Sequence, residues 1–351
     1  MSKTCIAACL SAALCVGTAT ASAEAGADAV NTSRELIKLT TDVRVDHQNV
    51  WHSPGGYDEA NSGFTAKYLI FKLEGEIVPG LDYSWRQRLN RPLLDGQVFE
   101  ATDGIYLRYT TGRFNVAAGK EVVAIGGYEY DAYPVDLYGT SVFWANVPCF
   151  QLGASAGIDL GSSSSLTAQV SQSPFHTSDC RAMYAYSVLW NGHFGAWHTL
   201  WSANLLEFER GRYINYISLG NRFDFDRVSL ITDVMNRYAR GQAFFGKDMT
   251  VVADLRWQPL AAWAFHAKYT YDVNKSGTGA DLIVLDGTDQ HQIGGGVEYY
   301  PLIRKRTSLR LHLNCYHSWG RNANEADVMC GNTTMLDMGI TWHMNLFSLK
   351  K

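Results

Sequence analysis

The chain has 351 residues, a formal net charge of −4, 13% aromatic residues, 32 glycines and 8 prolines. The small negative charge argues against a nucleic-acid partner, because such partners select strongly basic surfaces. The mean hydropathy of −0.14 would suit a soluble protein. It does not exclude a membrane β-barrel, because only every second residue of a barrel strand faces lipid.

The N-terminus has the anatomy of an export signal. Lys3 precedes a short apolar run, Cys5–Val16, and a small-residue cleavage site ends at Ala23. We expect cleavage there, because a membrane-spanning helix would need about 20 apolar residues. A lipid-attachment box ending at Cys9 is the alternative. Residues 1–23 are therefore predicted to be a signal peptide.

Four cysteines remain after the signal: Cys149, Cys180, Cys315 and Cys330. Disulfides persist in the oxidising compartments that exported proteins reach, and four cysteines allow three pairings. We expect Cys149–Cys180 and Cys315–Cys330, because each pair would flank neighbouring strands at one rim. Free, buried thiols are the alternative.

From residue 36 onward, apolar and polar residues alternate with a period of two, which indicates β-strands. Sixteen such segments are separated by turn-forming residues. In chain order they are Leu36–His47, Leu69–Ile77, Tyr83–Asn90, Ile105–Thr110, Phe114–Ala118, Phe150–Leu160, Leu166–Val170, Tyr184–Trp190, Trp197–Leu206, Tyr213–Arg222, Val228–Asn236, Thr250–Trp257, Trp263–Tyr271, Gln292–Tyr300, Leu309–Ser318 and Leu336–Phe347.

Short and long connections alternate along these strands, as in a closed transmembrane antiparallel β-barrel. Short turns are expected at Pro79, Gly112, Gly161, near Gly192, at Asp224–Asp226, at Gln258–Pro259 and at Pro301–Arg306. We therefore predict one all-β barrel domain over 24–351 with about 16 strands, although 14 or 18 stay open. A soluble sandwich is the alternative, but it would bury charged residues in its core, which is costly.

The longest irregular segment, about 123–148, is the third long loop. Loops of this length inside a domain are usually functional, and the family resemblance given below implies that a loop at this position folds inward as a constriction loop. Its candidate residues are Glu129, Tyr130, Asp131 and Asp136, with Tyr133 and Tyr138 beside them. A surface lid or a trimer contact is the alternative.

The polar face of the strands predicts a lumen of mixed charge. Its basic residues include Arg86, Arg88, Arg108, Arg256, Lys268 and Arg310. The first three would form a basic wall on adjacent strands that favours anions, with the acids of the constriction loop opposite. Ordinary ion pairs with lumenal acids are the alternative for each residue.

Several segments resemble the outer-membrane porins of the phosphate-selective O and P type. They are AGKEVVAIGGYEYDAYPVDLY from Ala118, QVSQSPF from Gln169, LWSANLLEFERGRYINYISLGNRF from Leu200, TYDVNK from Thr270, GGGVEYYPL from Gly294 and GITWHMNLF at the end.

The resemblance implies a trimeric sixteen-stranded channel for small solutes in a Gram-negative outer membrane. No compact block of the sequence matches the arginine ladder of the phosphate-selecting members. The chain also departs from the terminal aromatic of many such barrels, because Phe347 is followed by four residues that could form a tail.

Two other readings stay open. A barrel lipase could use a Ser and a His at the lipid rim, for which His312 and Ser318 are candidates, but no catalytic or metal-binding motif is present. A poorly conducting, substrate-specific or surface-binding barrel is the second.

We expect no cofactor, no metal and no catalytic residues, with outer-membrane lipid and small hydrophilic solutes or inorganic anions as partners.

Overall fold

The computed structural model describes residues 35–90, 98–324 and 327–350, so the predicted signal peptide lies outside the described residues. One sheet of seventeen antiparallel strands dominates it. The strands are β1 Glu35–His52, β2 Gly56–Tyr57, β3 Gly63–Val78, β4 Leu81–Arg88, β5 Thr102–Thr111, β6 Phe114–Val122, β7 Phe150–Asp159, β8 Ser164–Gln172, β9 Tyr184–Phe194, β10 Trp197–Glu209, β11 Arg212–Phe225, β12 Val228–Ala239, β13 Asp248–Leu260, β14 Trp263–Asn274, β15 Thr288–Tyr299, β16 Leu309–Arg321 and β17 Thr333–Lys350.

The two-residue strand β2 lies within the first long loop and pairs with the end of β1. Sixteen long strands remain, which confirms the predicted count. The sheet closes on itself because β1 pairs with both β17 and β3. A separate C-terminal tail, one of the alternatives for the residues after Phe347, is not found in the described part of the chain. Ser348, Leu349 and Lys350 continue β17 and pair with the first residues of β1.

Burial follows the alternation of the sequence. On β14, Trp263 and Phe265 are exposed on the outer surface, whereas Ala264 and Lys268 point inward and are buried. An outer surface of exposed apolar and aromatic side chains above a polar interior is what a lipid-facing barrel requires. No helix in the described part of the chain is long and apolar enough to cross a membrane.

Two predicted turns are displaced. The β9–β10 turn is Gly195–Ala196, since Gly192 lies within β9, and the β13–β14 turn is Ala261–Ala262. Pro259 lies inside β13, where the register with β14 shifts between Trp257 and Leu260. A proline cannot donate to the ladder, so it is accommodated at this irregularity.

The interior of the barrel contains an apolar core. Its members come from the 123–149 loop, from the strands β9–β12 and from the loops at 173–183 and 275–287; they include Val123, Ile125, Val142, Phe143, Phe175, Met183, Leu206, Ile214, Tyr216, Ile283 and Val284. The inward residues of β9–β12 near the long-loop rim are thus apolar where the middle of the barrel is polar. The core fills this side of the lumen.

The predicted disulfides are not formed, because all four mature cysteines are free thiols. Cys149 and Cys180 both pack against the apolar core. Cys315 is exposed on the outer face of β16, while the Sγ of Cys330 lies in the following loop near the backbone oxygen of Asn322. The alternation that places Cys315 toward lipid keeps it from a loop cysteine.

Three short helices interrupt the loops: α1 Val98–Ala101, α2 Tyr128–Asp131 and α3 Val142–Asn146. Single 3-10 turns occur at Pro134–Asp136 and Ile303–Ser308. The helices α2 and α3 both belong to the 123–149 loop and organise the candidate site.

Candidate functional site

The 123–149 loop is attached to the inner wall of the barrel from its first residues. The N–H of Gly126 donates to Ser202 Oγ on β10 (2.8 Å), and Ser218 Oγ on β11 donates to the Gly126 oxygen (2.8 Å). Asp233 on β12 then accepts the backbone N–H groups of Tyr128 (3.0 Å) and Glu129 (2.7 Å). A wall carboxylate thus satisfies the exposed donors at the start of α2.

The side chain of Glu129 ties the two halves of the loop to β14. Its carboxylate accepts the N–H of Ser141 (3.0 Å) and the Ser141 hydroxyl (2.5 Å). It also pairs with Lys268 Nζ at 2.6 Å, and the two side chains are only 5% and 2% exposed. Charges this deeply buried are retained in proteins when they are paired and hydrogen-bonded.

The helix α3 is held by a second wall carboxylate. Asp272 on β14 accepts the N–H groups of Val142 (2.9 Å) and Phe143 (3.3 Å), and Thr250 Oγ1 donates to it at 2.7 Å. The Ser141 side chain caps the same helix by accepting the N–H of Trp144. The first backbone N–H groups of both helices therefore donate to carboxylates on the barrel wall.

Tyr138 is the centre of the loop's far contact with the wall. Its ring stacks on His266 (centroids 5.1 Å apart), with the guanidinium of Arg44 at 4.5 Å and that of Arg310 at 5.6 Å. Its hydroxyl donates to Glu298 at 3.2 Å. Such cation–π contacts strengthen when they are desolvated.

The residue after Tyr138 has to be glycine. Gly139 has a φ of +52°, and a Cβ added there would overlap the ring of Tyr316 on β16. Only glycine adopts this conformation without penalty and without a side chain. The close approach fixes the loop against β16.

Tyr133 contacts the part of the barrel wall formed by β1 and β4. Its hydroxyl donates to Asp42 Oδ2 at 2.6 Å, and the guanidinium of Arg86 lies 4.8 Å from its ring centroid. Burial and the neighbouring Asp42 carboxylate raise the pKa of Tyr133 above its usual value, so it stays protonated and remains a donor. The loop thus reaches the strands that carry the predicted basic wall.

Two of the three arginines of the predicted basic wall share one acid. Arg86 and Arg88 on β4 both approach one carboxylate, Asp103 Oδ2, from Nε at 3.2 and 3.7 Å. The guanidinium of Arg108 on β5 lies over the ring of Tyr106, 5.1 Å from its centroid. Among the described residues, the Nε atoms of the three arginines find no hydrogen-bond acceptor.

The other predicted basic residues are neutralised. Arg310 Nη1 pairs with Asp136 (2.8 Å) and with Glu298 (3.2 Å). Arg256 bonds the same Glu298, and its Nη2 also donates to the Tyr300 hydroxyl at 2.6 Å. Together with the Lys268–Glu129 pair, these contacts agree with the alternative of ordinary ion pairing.

Two of the loop acids are held on strands other than those of the arginine wall, and the prediction that the acids face this wall across the lumen stays a prediction. Glu129 binds Lys268 on β14, and Asp136 binds Arg310 on β16. The helix that ends at Asp131 contacts β11 and β12, and Tyr130 is buried in the apolar core. The acids follow the backbone of the loop to the β11–β16 side, where lumenal lysine and arginine neutralise two of them.

Sequence reasoning did not find the capping role of Asp233 and Asp272 or the link through Asp103. The first two occupy inward positions of strongly patterned strands, and that is the only signal the sequence offered. Asp103 precedes the regular alternation of β5, so nothing in its neighbourhood indicated that it would sit under Arg86 and Arg88.

One buried group on the wall could offer metal ligands. Ligand atoms of Asp46, His312 and Asp337 lie within 4.8 Å of one another. Arg44, however, pairs with Asp46 at 2.8 Å and approaches Asp337 at 3.6 Å. The guanidinium already balances the carboxylates, so the group is better suited to an internal ion-pair network than to a cation.

Residues 37–196 match the family described as phosphate-selective porin O and P, which confirms the resemblance over that part of the chain. Among curated proteins none is similar enough to match.

Solved structures of barrels agree in fold. An anion-selective porin from Comamonas acidovorans has a TM-score of 0.62 at 11% identity, over 88% of this chain and 99% of that one. The outer-membrane channel DcaP of Acinetobacter baumannii also gives 0.62 at 11%, over 88% and 97%. OmpT of Vibrio cholerae in its trimer form gives 0.58 at 10%, over 89% and 100%.

Proposed function

Because residues 37–196 match the porin O and P family and the sixteen long strands close into a barrel, we propose that this protein is an outer-membrane porin. It forms a water-filled channel through which ions and small hydrophilic solutes diffuse passively. A closed barrel with an apolar outer face and a polar interior supports this function physically.

The basic wall carries the proposal of anion preference. Two guanidinium groups, those of Arg86 and Arg88, share one carboxylate, and Arg108 lies on the adjacent strand with its Nε unbonded among the described residues. A local excess of positive charge at a narrow aqueous passage attracts anions and repels cations.

Reversal potentials across planar bilayers under a KCl gradient test this. Replacing Arg86, Arg88 and Arg108 together by Gln should move the reversal potential toward cation preference. The matched control replaces three exposed turn arginines, Arg113, Arg210 and Arg240, which removes the same charge outside the lumen and should leave selectivity unchanged. Equal reversal potentials for both triple variants would show that the wall does not set ion preference.

A second candidate function is a poorly conducting, substrate-specific barrel. The apolar core on the β9–β12 side of the lumen favours it, because a core that occupies part of the lumen leaves less aqueous cross-section. Single-channel conductance separates the two candidates: discrete open steps in simple salt support the general porin, whereas a silent, correctly folded barrel supports the specific one.

The assembly and location are proposed on the same basis. The fold of a porin solved as a trimer supports a homotrimer in the outer membrane of a Gram-negative bacterium, reached through the predicted signal peptide at 1–23. Cross-linking of the protein in native membranes tests the trimer, and N-terminal sequencing tests the cleavage after Ala23.

The lipase alternative has little support. His312 is buried inside the barrel near Asp46, and Ser318 donates its hydroxyl to the backbone oxygen of Gly331. Both side chains point inward, whereas hydrolysis at a lipid rim needs them at the outer surface. We propose that the protein is a channel and not an enzyme, and phospholipid turnover by the purified protein would contradict this.

A further inference from the structure

Two histidines face each other at the short-turn rim of the lumen. His193 on β9 and His198 on β10 are cross-strand partners next to the Gly195–Ala196 turn. Their Nδ1 atoms lie 2.6 Å apart, and their ring centroids are 4.1 Å apart. They share the inward parity of the buried Ala185 on β9 and Ser202 on β10, so both rings face the interior of the barrel.

The backbone explains why the two rings meet. The N–H of His193 donates to Ser163 on the β8 side (2.7 Å), so this residue does not use its amide toward β10. The His193–His198 pair is therefore a non-hydrogen-bonded pair, the type in which opposing side chains come closest. The close approach is built into the sheet and does not depend on a flexible loop.

A carboxylate on the next strand orients one of the rings. Asp224 Oδ2 on β11 lies 3.4 Å from Nε2 of His198, on the ring edge away from His193. Arg222 holds Asp224 in place through Nε at 3.0 Å. With its proton on Nε2 toward Asp224, His198 accepts a hydrogen bond at Nδ1 from Nδ1 of His193. When His193 carries its proton on Nε2 instead, the Nδ1 lone pairs of both rings are available to a metal ion.

We propose that His193 and His198 form a binding site for a divalent transition-metal ion at this mouth of the barrel, with Nδ1 of each ring as a ligand. Asp224 acts as the outer-shell carboxylate that fixes the His198 tautomer, the arrangement that orients most metal-bound histidines. Water completes the coordination, because His193 is exposed and His198 is partly exposed.

The donor set favours Cu²⁺. Imidazole nitrogens suit both Cu²⁺ and Zn²⁺, and the general affinity order of divalent metals places Cu²⁺ highest. Hard cations such as Ca²⁺ prefer oxygen ligands and should not bind here.

Calorimetric titration of CuCl₂, ZnCl₂ and CaCl₂ into the full-length protein in detergent, without a histidine tag, tests the site. Wild type should bind about one Cu²⁺ with higher affinity than Zn²⁺, and Ca²⁺ should give no binding. His193→Ala and His198→Ala should each abolish this binding, and Asp224→Asn should weaken it about 10- to 100-fold.

The matched control is His317→Ala, because His317 is exposed on the outer surface, where it contacts Thr334 and the ring of Trp319. It should bind Cu²⁺ as wild type does. Electron paramagnetic resonance adds a second readout, with a bound Cu²⁺ signal coupled to two nitrogens expected in wild type and no such signal in either single-histidine variant. Unchanged Cu²⁺ affinity in either His193→Ala or His198→Ala would overturn the site, and unchanged affinity in Asp224→Asn would overturn the role of the carboxylate.

These measurements do not depend on conduction. A barrel that binds Cu²⁺ at His193 and His198 but fails to conduct would support the metal site and contradict the porin function. A barrel that conducts but does not bind Cu²⁺ would support the porin function and contradict the metal site.

Discussion

The pair Lys268–Glu129 is the sharpest test of how the 123–149 loop is held in the lumen. Lys268 Nζ lies 2.6 Å from Glu129 Oε1 and also donates to the backbone oxygen of Tyr138 at 3.2 Å. Replacing Lys268 by Met keeps most of the side-chain volume and removes the charge. Glu129 would then be left as a buried carboxylate that only Ser141 satisfies.

The size of the effect follows from burial. Removing one partner of a buried ion pair costs about 3–5 kcal/mol, since the other charge stays desolvated without compensation. The Ser141 hydrogen bonds place the expected loss for Lys268→Met near the lower end, about 3 kcal/mol. Adding Glu129→Gln should recover part of it, because residues in direct contact are coupled by about 0.5–3 kcal/mol.

Reversible denaturant unfolding in lipid vesicles gives the free energy of unfolding for these variants. Lys275→Met is the control, because Lys275 and Asp289 are 55% and 39% exposed and such pairs contribute about 1 kcal/mol or less. The reasoning is refuted if Lys268→Met and Lys275→Met cost the same, or if the double variant is no more stable than Lys268→Met.

Two further outcomes are expected. Gly139→Ala should lower the free energy of unfolding by about 1–3 kcal/mol, because its Cβ would overlap the Tyr316 ring at a positive φ; unfolding titrations equal to wild type would contradict this close approach. In the first long loop, hydrogen bonds from Asn61 and from His52 lower the pKa of Asp58 to about 2. Since that pKa is depressed, the stabilisation is present above the usual value near 3.8 and is lost as the pH falls toward 2. The backbone N–H groups of Ala60 and Asn61 donate to Asp58. Their hydrogen exchange, divided by the intrinsic exchange rate at each pH, should therefore become faster as the pH falls from about 3.8 to about 2. Asp58→Asn should remove this pH dependence.

The barrel could be predicted from the sequence because its pattern is local. Strand faces follow directly from alternation, and the closing register of β1 with β17 follows once the first and last strands are known. The turns at Gly195–Ala196 and Ala261–Ala262 were misplaced by a few residues. Gly192 and Pro259 look like turn residues, yet both lie within strands whose pairing tolerates them.

The interior of the site was harder to predict, because its partners are distant in sequence. The sequence placed Arg86, Arg88 and Arg108 inward together, since adjacent strands share a face. It could not show that Glu129 would reach Lys268 and that Asp136 would reach Arg310, because these pairs depend on the path of an irregular loop. The free thiols have the same explanation: Cys315 faces outward on β16 whatever its distance in sequence from Cys330.

The distribution of charge separates the anchoring of the loop from the proposed selectivity. Asp233, Asp272 and the Lys268–Glu129 pair hold the loop on β12 and β14, and the apolar core packs beside them. Arg86 and Arg88 lie on β4, where the guanidinium of Arg86 contacts the ring of Tyr133 from the loop and that of Phe150 at the start of β7. Neutralising the arginine wall should therefore change ion preference while the loop stays attached. Lys268→Met should loosen the loop while the wall keeps its charge. If ion preference and the attachment of the loop changed together in both variants, the wall and the loop anchor would not be separate.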